Sequence, residues 1–297
     1  MSKLIYYIAV LISKLPFKVL YGISDCLYVL VYHVFRYRRS IVRQNISNCF
    51  PKEPLSEVKR IEKGFYQWFC DYFFETEKLL NMTPGTMKEH LECRNIEAIE
   101  ECFDRGQSVA AMLGHYCNWE WMSTTKAYFT RHPEAIAGLI YHPLRSESFD
   151  KLFIKIRSHL GGTCIKKDLI LRYLVRYRKE NRMSLFGYIA DQSPKWENIH
   201  LWLDFMNQET PVFTGAERII RKMNNAVFYC DLERPCRGKY IATFHKMTDN
   251  PAALEENELT HDFFKRLEDS IRRQPELYLW THNRWKRTRE EWEKRTK

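Results

Sequence analysis

Ser108-Val109-Ala110-Ala111-Met112-Leu113-Gly114-His115-Tyr116-Cys117-Asn118-Trp119-Glu120 is the stretch whose reading decides the fold of this chain. Its first half is a short apolar run after the turn-forming Arg105-Gly106-Gln107, the pattern of a buried strand. Its second half opens a segment of helical length and composition, residues 118–129, with Asn118 placed as the cap. An imidazole thus stands at a strand end and a carboxylate in the first turn of the following helix. Glu120 placed there can hold His115 in one tautomer and stabilise the imidazolium formed when it accepts a proton, which is how a general base is built. The helix start adds backbone N–H groups able to face a developing negative charge. A five-residue spacing of histidine and glutamate is common by itself. The strand-end position, where open α/β sheets carry their sites, is what gives the pair meaning.

Outward from this stretch the chain alternates. Residues 41–80 have the apolar period of helices, broken by Phe50-Pro51-Lys52-Glu53-Pro54, with Ser56 as a cap. From Asn95 the pattern predicts a helix to 104, a strand to 113, a helix to 129, a strand over 135–140 and a helix over 148–159. After Gly161-Gly162 come a helix at 169–179, a buried strand at 183–190, an alternating strand at 199–205 and a helix at 215–223. Strands at 226–232 and 240–245 close the sheet, and a last helix spans 260–273. This order predicts an α/β fold, a central mixed sheet flanked by helices. The expected organisation is a hydrophobic helical membrane anchor over 1–40, a helical segment over 41–94 that packs on the core, and an α/β domain with a basic tail over 95–297.

The formal charge of +10 and pI near 9.1 call for an anionic partner, and the N-terminus selects a membrane surface. Leu4 to Leu15 and Val19 to Phe35 are apolar and aromatic, and Arg36-Tyr37-Arg38-Arg39 follows at once, as in an anchor whose basic end lies among headgroups. Neither stretch is a clean span of about twenty residues, so a crossing and an in-plane anchor both remain open. Nine cysteines without a C-x-x-C pair exclude a disulfide framework or a zinc ribbon and read as reduced thiols. Metal dependence is not expected, since the His115–Glu120 spacing has no third ligand nearby and is not H-E-x-x-H. A serine nucleophile has no G-x-S-x-G, and the chain carries no nucleic-acid-binding module. Asp191-Gln192 follows a buried strand directly and shares the strand-end position of His115. Its composition is also that of a turn. Arg157, before Gly161-Gly162, reads by itself as a solvated charge.

Taken in order, these residues resemble the late acyltransferases of lipid A biosynthesis, the lauroyl- and myristoyl-transferring family, distant relatives of the glycerol-phosphate acyltransferases that share H-x-x-x-x-D/E. The resemblance covers nearly the whole chain. It runs through Arg38-Arg39, Gln44-Asn45, Phe50-Pro51, His115 to Glu120, Tyr141-His142-Pro143-Leu144, Arg157 and Ala190-Asp191-Gln192. It closes on the block from Pro275-Glu276 through Tyr278, Trp280, His282 and Arg284-Trp285-Lys286. One departure is Phe205-Met206-Asn207, where the family has Phe-Phe-Gly, and it leaves substrate identity open. The resemblance implies transfer of a fatty acyl chain from an acyl thioester, on acyl carrier protein or coenzyme A, to a hydroxyl of a lipid A precursor at the inner membrane, with the catalytic domain facing the cytoplasm. His115 and Glu120 would be catalytic. Arg157, Asp191, Gln192 and Asn118 would support the site or bind substrate, and no cofactor beyond the thioester is implied. A lysophospholipid or an aminoacyl lipid is the alternative acceptor, and a lipid-binding protein without catalysis the alternative outside enzymes.

Overall fold

The computed structural model describes residues 2–296. Nine strands occur in chain order: β1 (Leu91–Arg94), β2 (Val109–Leu113), β3 (Ile136–Tyr141), β4 (Thr163–Lys166), β5 (Ser184–Ile189), β6 (Leu201–Phe205), β7 (Gln208–Val212), β8 (Ala226–Cys236) and β9 (Lys239–Thr248). Seven form one sheet in the order β1-β9-β8-β2-β5-β3-β4, parallel at every pairing but the β8–β9 hairpin. This is the expected mixed sheet. All five residues of β2 are buried, as a continuous apolar run between two parallel neighbours requires. Helices Ile96–Asp104, Glu147–Ser158, Ile170–Lys179, Gly215–Met223 and Glu258–Arg273 flank the sheet.

Several elements differ from the expectation. The edge strands β1 and β4 have four residues each, too short to show an alternating pattern. The strand expected at 199–205 does not join the main sheet but pairs with β7 as a separate hairpin. Residues Trp119–Tyr128 form a 3₁₀-helix, not an α-helix. The hydroxyls of Ser123, Thr124 and Thr125 each donate to the carbonyl three residues back, all at 2.7 Å, which favours the tighter turn.

Four N-terminal helices, α1 (Ser2–Ser13), α2 (Phe17–Tyr28), α3 (Arg39–Cys49) and α4 (Leu55–Lys78), are joined by polar bonds. A π-helical stretch, Val29–Val34, extends α2. Three buried carboxylates on α4 receive the others. Glu62 takes Tyr32 Oη at 2.9 Å and Arg43 at 2.8 Å, Asp71 takes Ser24 Oγ at 2.7 Å, and Glu75 takes Tyr21 Oη at 3.0 Å. Lys78 Nζ donates to the Ser13 and Leu15 carbonyls at the end of α1. Phe17–Val34 is apolar and long enough to cross a membrane, yet its inner face is bonded along α4.

Phe205-Met206-Asn207, the departure from the family pattern, ends β6 and makes the turn of the β6–β7 hairpin: Phe205 lies opposite Gln208, and Met206-Asn207 are the two turn residues. Met206 and Asn207 have φ of 54° and 61°, the left-handed pair of a type I′ turn, in which asparagine stands in for glycine. Asn207 Nδ2 also donates to the Cys49 carbonyl at 2.8 Å. Asn207→Ala is expected to cost about 2 kcal/mol in a denaturant titration, about half from the backbone conformation and half from the lost hydrogen bond. Asn207→Gly should cost about 1 kcal/mol, because it loses only the hydrogen bond. Equal losses would remove the conformational argument.

Candidate active site

The β2–β5 register builds the site. Leu113 lies opposite Ile189, so the chain leaves both strands in step and His115 emerges beside Asp191. His115 Nδ1 is 2.7 Å from Asp191 Oδ1, and the His115 backbone N–H donates to the same oxygen at 3.1 Å. Gln192 Nε2 stands 3.2 Å from His115 Nε2. The Trp119 ring meets the imidazole edge-on at 5.2 Å between centroids. With Asp191 accepting, Nδ1 carries the proton and Nε2 offers its lone pair to the Gln192 amide.

Asp191 is buried, and burial by itself would raise its pKa. The facing His115 ring, the two hydrogen bonds from His115 and the nearby Arg284 guanidinium outweigh that and hold the carboxyl below its ordinary value. It is therefore ionised at neutral pH. His282 lies next to this pair. Burial drives its pKa down to about 4, and its neutral Nε2 accepts the Ser193 N–H at 3.3 Å. Arg284 is fully buried, and burial lowers its pKa to about 10, leaving it charged. Its Nη2 donates to the Pro211 carbonyl at 2.7 Å.

The spacing had suggested Glu120 as the partner of the imidazole, but the ring nitrogens face Asp191 and Gln192. The two Glu120 oxygens accept Nε and Nη2 of Arg157 at 2.7 and 2.6 Å, in a bidentate pair with side-chain exposures of 4% and 18%. A 3₁₀-helix follows His115, and its side-chain directions carry Glu120 toward the helix Glu147–Ser158 that bears Arg157. Burial would lower the Arg157 pKa, and the Glu120 pairing more than reverses that, so Arg157 is not a solvated charge. Asn118 caps the 3₁₀-helix, its Oδ1 accepting Trp121 N at 3.4 Å. Its Nδ2 turns inward to Glu75 at 2.9 Å. His115, Asp191 and Gln192 thus form one cluster, Glu120 and Arg157 a second, and Asn118 belongs to the scaffold.

The C-terminal block braces the His115 loop. Cys117 N donates to the Leu277 carbonyl at 2.8 Å, Leu279 N to the His115 carbonyl at 3.1 Å, and Tyr116 and Tyr278 form an antiparallel bridge. Asn45 Nδ2 ties the block to α3 through the Trp280 and His282 carbonyls at 2.9 and 3.0 Å. Tyr278, His282 and Arg284 all lie in this block, and no spacing along the chain marks them as part of the site. Their only signal was its length and aromatic content. Removing one member of the Glu120–Arg157 pair leaves the other buried charge uncompensated, so Glu120→Gln should cost about 3 kcal/mol in unfolding free energy. A Glu120→Gln/Arg157→Leu double variant should recover part of that loss; a double variant as unstable as the sum of the singles would show that the two do not couple.

No curated protein matches the chain. The family model described as bacterial lipid A biosynthesis acyltransferase matches residues 3–287, taking in the N-terminal helices, the His115 loop and the C-terminal block together. The chain belongs to the bacterial lipid A biosynthesis acyltransferases and is an acyltransferase.

Proposed function

We propose that this protein transfers a fatty acyl chain from a thioester on acyl carrier protein to a hydroxyl of a lipid A precursor at the inner membrane, with His115 as general base. The observation that carries this reading is the 2.7 Å contact of His115 Nδ1 with a buried, ionised Asp191. The acceptor hydroxyl takes the place of the Gln192 amide at Nε2. As its oxygen attacks the thioester carbonyl, its proton passes to Nε2, and Asp191 stabilises the imidazolium. When the tetrahedral intermediate collapses, the C–S bond breaks and the leaving thiolate takes the proton from Nε2. Glu120 acts through Arg157, holding the guanidinium whose Nη1 is left to face the oxyanion. The thioester is already activated, so neither a covalent enzyme intermediate nor a further cofactor is required. The basic surface suits an acidic carrier protein and a phosphorylated lipid.

We further propose that the N-terminal helices lie in the membrane plane. Val19, Ile23, Leu30 and Val34 are exposed along one face, while Leu20, Ser24 and Tyr32 are buried on the other. Asp25, within the same stretch, pairs with Arg237 of the β8–β9 turn at 2.7 Å. A crossing would strip this inner face of its partners on α4, leaving Glu62, Asp71 and Glu75 short of donors. At 12 residues, about 18 Å, α1 is too short to cross by itself. The exposed apolar stripe, with Lys14, Lys18 and Arg36 beside it, suits an anionic interface.

The acceptor is tested by lipid mass spectrometry of the source cell lacking this gene, complemented with wild type or His115→Ala. Loss of one acyl chain from lipid A, restored by wild type alone, is the expected result. Rescue by His115→Ala would remove the general base, and unchanged lipid A with another diacylated lipid missing would move the acceptor. In purified enzyme, Asp191→Asn should lower kcat by about 10²–10⁴. Tags at the two termini test the anchor: the in-plane arrangement exposes both on the cytoplasmic side of the membrane, and a single crossing puts them on opposite sides.

A further inference from the structure

A second set of charges lies beside His115 and has no part in the acyl-transfer step. Among the described residues Arg38, Lys286 and Arg287 have no carboxylate partner, whereas Arg39 and Arg43 are paired with Glu62 and Arg289 with Glu209. Their positions are tied to the base. Arg287 Nη1 donates to Ser193 Oγ at 3.1 Å, Ser193 N donates to His282 Nε2 at 3.3 Å, and the preceding residue, Gln192, reaches His115 Nε2 at 3.2 Å. Arg38 Nη1 donates to the Thr281 carbonyl at 3.0 Å, next to His282. Lys286 is near both arginines: burial and then the charges of Arg287 and Arg38 lower its pKa.

The backbone holds this arrangement at a cost. Arg38 has φ 50°, the left-handed region a non-glycine residue avoids, and such strain gathers at binding sites. The Arg287 guanidinium lies 5.2 Å from the Trp196 ring centroid, which orients its remaining donors. Three cations gathered around the Thr281–His282 and Ser193 backbone without a carboxylate partner form a site for an anion with several oxygens. Its direction of entry is given by Phe35 and Tyr37, exposed at 72% and 46% at the end of the apolar stripe, immediately before Arg38. The anion therefore arrives at headgroup depth. An acidic protein would call for a broader surface facing the aqueous side.

We propose that Arg38, Lys286 and Arg287 form a phosphate subsite for the acceptor, gripping a phosphomonoester of the glycolipid so that its free hydroxyl falls beside His115 Nε2. This rests on the reading of the acceptor as a phosphorylated lipid A precursor. The test uses full-length enzyme and the variants Arg38→Gln, Lys286→Gln and Arg287→Gln, with melting curves as a check on folding. Each is assayed on a diglucosamine lipid carrying a phosphomonoester and on its dephosphorylated form. Each variant should raise KM for the phosphorylated acceptor about tenfold, the size of one partly desolvated ion pair, with kcat and the donor KM within about twofold of wild type. Wild type should lose more than that on the dephosphorylated lipid, where all three contacts go, and each variant should lose less than wild type on the same change of lipid. Variants that match wild type, lose equally on both lipids or raise KM for the acyl donor would overturn the subsite, the last result making the cluster a carrier-protein contact. Partition of the same proteins onto nanodiscs containing either glycolipid needs no turnover. If wild type acylates neither lipid, the acceptor reading falls, while phosphate-dependent partition lost in Arg287→Gln keeps the subsite and phosphate-independent partition overturns it.

Discussion

Leu113 and Ile189 face each other across two parallel strands, and two residues beyond that pair stand His115 and Asp191. Everything chemical in the molecule depends on that register. A slip of one residue would turn Asp191 to the opposite face and leave the imidazole without its acceptor. On its other side β5 is packed closely against β3. Gly138, in register with Phe186, has no room for a side chain: a Cβ there would lie 2.1 Å from the Phe186 ring. Burial of all of β2 adds to this, since any other alignment would misplace a packed apolar strand between β8 and β5.

Buried carboxylates tie the remaining parts to one another. Glu75 is the meeting point. It accepts from Tyr21 of α2, from Tyr240 of β9 and from the Asn118 cap of the 3₁₀-helix after His115. One carboxylate thereby connects the apolar helix α2, the sheet and the segment that carries Glu120. The C-terminal block makes a second connection, from α3 through Asn45 to the backbone around His115. Groups of this kind contribute little net stability when satisfied and cost several kcal/mol when orphaned, which makes them enforce a single arrangement.

The difference between expectation and structure at Glu120 has a local origin. A general-base argument from spacing assumes that a residue in the first turn of an α-helix points back at the strand end. The hydroxyls of residues 123–125 tighten that helix, and Glu120 faces Arg157 instead. Asp191 was legible as a strand-end carboxylate, but 76 residues separate it from His115 and no local pattern measures that offset. The apolar run of α2 was legible from its composition, but its bonds to Asp71 and Glu75 were not, because those partners lie some fifty residues away.

Local physical chemistry, read along the chain, determined the α/β alternation, the buried strand that ends at His115, the acidic and amide residues at the end of β5, and an apolar, basic-ended N-terminus. These are patterns with periods of a few residues, and side-chain burial imprints them directly on the order of amino acids. Which carboxylate holds the imidazole, which arginine answers Glu120, and whether the apolar helix lies along the domain are contacts between distant segments. Only the tertiary structure decided them, because strand register, the handedness of a turn and the closing of long loops are set by packing over the whole molecule.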